Sequence, residues 1–220
     1  QIADLLLTPS TDGDENLRRE GIAPAKIHCV GNVMIDTLVR LLPVAEKLTI
    51  REELAVPAHG YGLITLHRPS NVDEPAMLQK LMTTLLTISH ELPLVFPIHP
   101  RTRHRLEELA LPLNQTQLIF TQPLGYLEFL ALQRQAKVVI TDSGGIQEES
   151  TYLGVPCLTV RENTERPITV TVGTNLLVGQ DMQRLIAETQ RILAGQAKPG
   201  AIPPLWDGKA GLRIAQLLLT

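Results

Sequence analysis

Four short polar stretches carry residue types that could do chemistry. The most informative is "TDSGGIQEES" at 141–150, which follows the apolar run "AKVVI". Ser143 can cap a helix starting there. Gly144 and Gly145 weaken such a start by about 1 kcal/mol each against alanine. Glycine at that point lets a ligand approach the backbone, and free N–H groups at a helix N-terminus bind phosphate. Glu148 and Glu149 could simply complement the helix dipole. Carboxylates beside a phosphate also suit the hydroxyls of a cis-diol such as ribose. A capped helix start and a nucleotide site both stay open on these residues.

"TLHRPSNVDE" at 65–74 places His67 beside Arg68. Two adjacent cations can bind a diphosphate and stabilise it as a leaving group; the plainer reading is a capping histidine and a surface arginine. In "PIHPRTRHR" at 97–105, His99 lies between prolines and serves equally as a loop residue or a contact. His104, with Arg101, Arg103 and Arg105, is expected on a solvated helix face. "RENTERP" at 161–167 crowds Arg161, Glu162, Thr164, Glu165 and Arg166 into one loop, a salt-bridged surface turn or a ligand contact. His28, His59 and His90 follow no pattern. The chain has no zinc-type spacing, G-x-S-x-G, Walker A or G-x-G-x-x-G. No metal or other cofactor is expected.

These stretches need elements to position them. Short apolar, β-rich runs recur at 26–31, 61–66, 92–98, 116–121, 136–141 and 155–160, with a weaker one at 174–179. Helix-period segments lie between them at 74–90, 126–134, 146–153, 181–195 and 209–219. Strands alternating with helices, and apolar on both faces, predict an α/β fold: a mainly parallel sheet covered on both sides, Rossmann-like, in three layers. All four polar stretches then follow strands, at the sheet edge where such folds bind ligands. The Pro/Gly-rich segment 196–211 reads as a loop before the last helix.

Composition narrows the class. The chain has 220 residues, 44% hydrophobic and 20% charged, with formal net charge −3. That is enough for a sizeable core, and the acidic balance argues against nucleic-acid or membrane-surface partners. No apolar run approaches the ~20 residues that span a bilayer. Cys29 and Cys157 sit in β-like segments with no C-x-x-C spacing. They read as buried reduced thiols, in keeping with a cytoplasmic protein.

The order of the motifs is similar to that of a known family. "GNVMIDTL" (31–38), "TLHRPSNVD" (65–73), "TDSGGIQEES" (141–150), "GVPCLTVRENTERPITVTVGTNLLVG" (154–179) and "WDGKAGLRI" (206–214) resemble the UDP-N-acetylglucosamine 2-epimerases over nearly the whole chain. The pair S-G-G-x-Q-E-E and R-x-x-T-E-R-P is the most specific feature. The resemblance implies the two-domain GT-B fold and interconversion of UDP-GlcNAc and UDP-ManNAc by elimination and re-addition of UDP. It implies that residues 1–30 correspond to the end of an otherwise absent N-terminal domain and 31–220 to the C-terminal UDP-binding domain. The proton-moving carboxylates would belong largely to the first domain, and the full-length protein would be a homodimer.

Carried onto this chain, the resemblance gives His67 the departing diphosphate, as the catalytic residue, with Arg68 and His99 as substrate contacts. Ser143, Gly144 and Gly145 would hold phosphate oxygens, and Glu149 the ribose. The segment 119–129, with Phe120, would face the uracil. Thr164, Glu165 and Arg166 would face phosphates and sugar. Ser70 and Ile168 stand where the family often has glutamate, removing two carboxylates near the cleft. Alternatives are a GT-B glycosyltransferase donor domain, a non-catalytic nucleotide-binding module, and a hydrolysing epimerase releasing ManNAc and UDP. R-x-x-T-E-R-P favours the epimerase over the transferase.

Overall fold

The structure is a computed structural model describing residues 2–98, 100–109 and 117–219, with only the backbone described at 100, 101, 107 and 108. His99, one of the expected contacts, lies outside the described residues.

Six parallel strands form the main sheet: β3 (Gly62–Thr65), β4 (Leu94–Pro97), β5 (Leu118–Thr121), β6 (Val138–Thr141), β7 (Cys157–Thr159) and β8 (Asn175–Leu177). Their spatial order is β5-β4-β3-β6-β7-β8. The chain moves outward from β3 to β5, returns to the middle, and moves outward the other way from β6. Loops leaving β3 and β6 therefore diverge, opening a crevice at the carboxyl ends of these two central strands. Register sets the crevice level: Thr65 lies opposite Thr141 at the end of the β3–β6 pair.

Alternating side chains supply both faces. Ile64, Phe96, Val138, Ile140 and Leu158 pack against α5 (Pro75–Ser89) and α10 (Met182–Leu193) in one apolar cluster. Leu63, Val95 and Val139 pack the other way, against Leu132 of α7 (Tyr126–Gln133) and against Ile146 and Leu153 of α8 (Gly144–Leu153). The sheet is thus buried on both sides, as the unbroken apolar strands require.

Several elements differ from expectation. The strand expected at 26–31 is β2 (Ile27–Cys29), and it does not join the large sheet. It pairs in parallel with an unanticipated β1 (Leu6–Thr8), beside α1 (Thr11–Arg19). Helix α2 (Val33–Ala45) was also not anticipated. Its buried Ile35 and Leu38 keep helical spacing, but Pro43 inside it masks the pattern. Short helices α3 (Ile50–Glu53), α4 (Pro69–Val72) and α9 (Pro167–Thr171) are below the length that periodicity can reveal.

The motifs at 31–38 and 206–214 meet each other. Asn32 Oδ1 accepts the Met34 N–H (2.9 Å) and caps α2. Asp36 accepts the N–H groups of Ala210 (3.0 Å) and Gly211 (2.7 Å), closing the start of α11 (Ala210–Leu218). Gly31 has φ +89°, and a Cβ there would stand 2.2 Å from the Leu205 carbonyl oxygen, so no side chain fits. Buried Trp206 donates its indole N–H to Pro9 O (2.9 Å), tying the end of the chain to the β1 region. These two motifs build a junction.

Candidate functional site

At the crevice, β6 ends in Thr141 and the chain turns through Asp142 and Ser143 into α8. Ser143 is the extended N-cap residue (φ −90°, ψ 130°), and its side chain makes no capping bond. The expected helix start at 146 is two residues earlier, so Gly144 and Gly145 are its first two residues. Neither has positive φ. A Cβ on Gly144 would come no nearer than 3.9 Å to Arg166 Cγ, and one on Gly145 would meet nothing within 4 Å. Neither conformation nor packing inside the chain calls for glycine here. The bare backbone leaves open space before the first N–H groups of a ten-residue helix.

Opposite, β3 runs into His67 and Arg68. Asp142 is fully buried and reaches across to them. Its carboxylate accepts the backbone N–H of His67 (3.0 and 3.2 Å), the N–H of Arg68 (2.9 Å) and Asn71 Nδ2 (3.0 Å). His67 Nδ1 lies 3.0 Å from Asp142 Oδ1, with the ring side chain 61% exposed. Arg68 Nε donates to the Asp142 carbonyl (3.1 Å). Neither Asp142 nor Asn71 was singled out from the sequence; the signal available was the Asp directly after an apolar strand.

The two glutamates of α8 stand in its second turn, not its first, so the dipole reading does not apply to them. Both are buried. Glu149 Oε1 accepts from the Tyr126 hydroxyl (3.0 Å), and the Gln133 amide nitrogen stands 2.9 Å from Oε2 in the orientation that also satisfies Ser150. Among the described residues no cation pairs with it. Burial pushes the Glu149 carboxyl up to about 7, against the opposing pull of the Tyr126 bond. Glu148 is raised by burial too, although Arg166 opposes this; Arg166 Nε lies 2.8 Å from Glu148 Oε1. Glu148, Arg166, Asn32 and Thr8 line a cleft of about 470 Å³.

The loop after β7 closes the third side. Arg161 is buried and grips Glu165 with both guanidinium nitrogens (2.7 and 2.8 Å), holding the Glu165 carboxyl down at about 2. Arg68 lies 3.7 Å from the same carboxylate. Thr164 donates to Gln147 Oε1 (2.6 Å) and accepts the Arg166 N–H (3.0 Å). Asn175 Nδ2 reaches the same Gln147 oxygen (3.2 Å). The paired motifs at 143–149 and 161–167 are thus one hydrogen-bonded unit.

The profile of the UDP-N-acetylglucosamine 2-epimerase family matches residues 1–219. The chain belongs to the UDP-N-acetylglucosamine 2-epimerase family. It is 40% identical to the UDP-N-acetylglucosamine 2-epimerase of Methanocaldococcus jannaschii over 225 residues, covering 99% of this chain and 61% of that one. It is 38% identical to UDP-2,3-diacetamido-2,3-dideoxy-D-glucuronate 2-epimerase of Pseudomonas aeruginosa, covering 99% and 60%. The crystal structure of the M. jannaschii enzyme in complex with UDP-GlcNAc and UDP superimposes with a TM-score of 0.86, over 99% of this chain and 61% of that one. The wall teichoic acid polymerase TagF, 15% identical with a TM-score of 0.53, shares the fold alone. The chain spans about three fifths of the length of these relatives.

Of the residues expected to form a 2-epimerase site, His67 and Arg68 are tied to Asp142, Arg68 also lies near Glu165, and Thr164 and Arg166 are tied to Gln147 and Glu148 of α8, whose first turn holds Gly144 and Gly145 after Ser143. Glu149 is buried, and its hydrogen-bond partner Tyr126 is exposed. Phe120 is at the end of edge strand β5, its ring 5.9 Å from Phe96 and 6.0 Å from the Arg103 guanidinium. Arg103 and Arg105 are therefore not merely solvated; Arg105 bonds Val72 O (2.8 Å) and Asp73, binding α6 (Pro100–Glu108) to α4. Of the two departures, Ser70 is exposed, and its carbonyl accepts from Gln180 (3.0 Å). Ile168 packs with Ile35 and Trp206, so its apolar side chain serves the core.

Proposed function

We propose that this chain binds the UDP part of a UDP-N-acetylhexosamine at the β3/β6 crevice, and that the full-length protein interconverts UDP-GlcNAc and UDP-ManNAc. The observation carrying this reading is the open space over Gly144 and Gly145, with Arg166 beside Gly144 and with His67 and Arg68 held on Asp142, two residues before Gly144. The diphosphate lies against the α8 N-terminus and Ser143, with the cations neutralising it. Glu149 accepts from the ribose hydroxyls through lone pairs that Tyr126 and Gln133 leave free. The end of β5, with Phe120, borders the uracil.

In the reaction, a base removes the C2 proton, the electron pair forms the C1–C2 double bond, and the C1–O bond breaks to release UDP. Re-addition of UDP to the 2-acetamidoglucal, with C2 protonated from the other face, gives the epimer. This chain's part is to hold UDP and offset the charge that grows on its β-phosphate. Among the described residues, Asp142, Glu148, Glu149 and Glu165 each hold partners. The base at C2 is accordingly assigned outside this chain. Residues 1–30 fit a separate domain, since β1 and β2 pair with each other and with none of the six strands. Family resemblance supports a homodimer, a cytoplasmic location and a role supplying sugar for cell-surface polysaccharide.

Calorimetry with UDP, uridine and 2′,3′-dideoxy-UDP tests the binding reading. UDP is expected to bind, uridine to bind far more weakly, and the dideoxy analogue to lose affinity. Equal binding of UDP and uridine would remove the phosphate site and the proposal with it. In the full-length protein, free ManNAc and UDP as end products would assign the hydrolysing variant.

A further inference from the structure

We propose that Tyr126 is a positioning residue, whose hydroxyl holds the buried Glu149 carboxylate in place and in acceptor form for the ribose of a bound nucleotide. Tyr126 opens α7, where Glu128 Oε2 accepts the Gly125 N–H (2.7 Å) and fixes the first turn. Gln133 ends the same helix seven residues on, so the two side chains project from one face. Between them they reach both carboxylate oxygens. The Tyr126 hydroxyl donates to Oε1 (3.0 Å), and the Gln133 amide nitrogen stands 2.9 Å from Oε2. Both donors are neutral. A carboxylate has about four lone-pair sites, so two remain for a ligand, as many as a cis-diol has hydroxyls. A carboxyl kept only for packing would be served as well by its protonated form, which burial favours.

The surroundings leave this task to the tyrosine. Burial pushes the Glu149 carboxyl up to about 7, neighbouring Glu148 raises it further, and the Tyr126 bond acts the other way. The cations on adjoining elements are committed elsewhere: Arg166 lies against Glu148 (2.8 Å), and Arg134, next to Gln133, pairs with Glu46 (3.0 Å). From α2 and β7, which also pack on α8, Asp36 is taken by the start of α11 and Cys157 faces Thr159. Tyr126 keeps its own proton firmly, since burial and Glu149 both raise its hydroxyl. The consequence for binding rests on the reading of Glu149 as the ribose acceptor. A protonated Glu149 loses acceptor capacity and gains a donor, so it meets two hydroxyl donors less well. Tyr126 thereby extends UDP binding down to neutral pH.

The first test needs neither ligand nor variant. In the ¹³C-labelled chain, Glu149 Cδ should titrate between about pH 5 and 9, and Tyr126 Cζ should follow with the same midpoint. A Tyr126 signal that ignores the Glu149 transition overturns the proposal. Tyr126→Phe keeps the ring and removes the hydroxyl, and the Glu149 midpoint should then lie about one pH unit higher. An unchanged or lower midpoint in the folded variant overturns it too. The last arm is UDP affinity by calorimetry, each variant set against wild type at the same pH. Tyr126→Phe should lose roughly threefold to fivefold at pH 7 and less than about twofold at pH 9.5, where Glu149 is ionised in both chains. An equal loss at both pH values would make the hydroxyl a direct contact or a packing group and refute the positioning role. In a Glu149→Gln chain the added Tyr126→Phe change should leave affinity nearly unaltered at either pH; a full loss there also refutes it. If UDP does not bind the parent chain, the proposed function fails, while the two carboxyl titrations still decide what Tyr126 does to Glu149.

Discussion

Glu149 is buried, and its carboxyl is raised to about 7 by that burial. Its effect on stability has a definite sign. The folded group holds its proton to higher pH than the unfolded one, so its favourable contribution is complete below about 4.5 and is lost as pH rises through about 7. At pH 8 the ionised side chain is a net cost. Glu149→Gln should therefore raise stability at pH 8 by roughly 1–3 kcal/mol and have little effect near pH 4, as measured by urea unfolding at both pH values. The same change should weaken UDP binding by ~1–3 kcal/mol, the range for a charged hydrogen-bond partner. Hydroxyl donors favour the carboxylate, so wild-type affinity should fall as pH drops below about 7. Affinity flat between pH 6 and 8 would take Glu149 out of the ribose site. A residue that costs stability in the free chain and gains a partner in the complex is what a binding site tolerates.

Helix α8 and the loop after β7 act as one element. Thr164 holds Gln147, and Arg166 holds Glu148. Thr164→Val and Gln147→Leu should each weaken UDP binding, and the double variant should lose less than the sum. The expected coupling is about 0.5–3 kcal/mol for residues in direct contact; strict additivity in calorimetric titrations would show the loop to be independent of the helix. The contrasting case is the junction of α2 with α11. Asp36 accepts two N–H groups at the start of α11, away from the start of helix α8. Asp36→Ala should lower unfolding free energy by ~0.5–2 kcal/mol, the scale of a lost helix cap, with UDP affinity unchanged. A matching loss of UDP affinity would place that junction in the binding site.

For the molecule as a whole, binding and chemistry are expected to separate. At a hundredfold excess over Kd, UDP should stabilise the chain by about 2.7 kcal/mol, a rise in Tm of roughly 5–10 °C for a domain of this size. Differential scanning fluorimetry reads it directly. Asp142, Glu148, Glu149 and Glu165 each hold partners among the described residues, so this 220-residue chain should take up no deuterium at C2 of UDP-GlcNAc from heavy water. Deuterium incorporation by the chain alone would show that one of them serves as the base.

Much of this was legible along the chain. Apolar runs with helical spacers gave the six strands of the main sheet, because parallel strands buried on both faces cannot hide their composition. "SGG" before a helix marked where the backbone is left bare, because glycine weakens a helix start and nothing in the packing calls for it there. Other features depend on neighbours distant in sequence. Asp142 and His67 are 75 residues apart, and only the return of β6 beside β3 brings them together. Glu148 and Glu149 are adjacent and identical in type; tertiary packing alone decides that one meets Arg166 and the other Tyr126. Sequence determined what the strands are and where the backbone is left bare. Tertiary structure decided which polar groups share the crevice and how deeply each carboxylate is buried, since burial and partnership are properties of the packed surroundings and not of the residue.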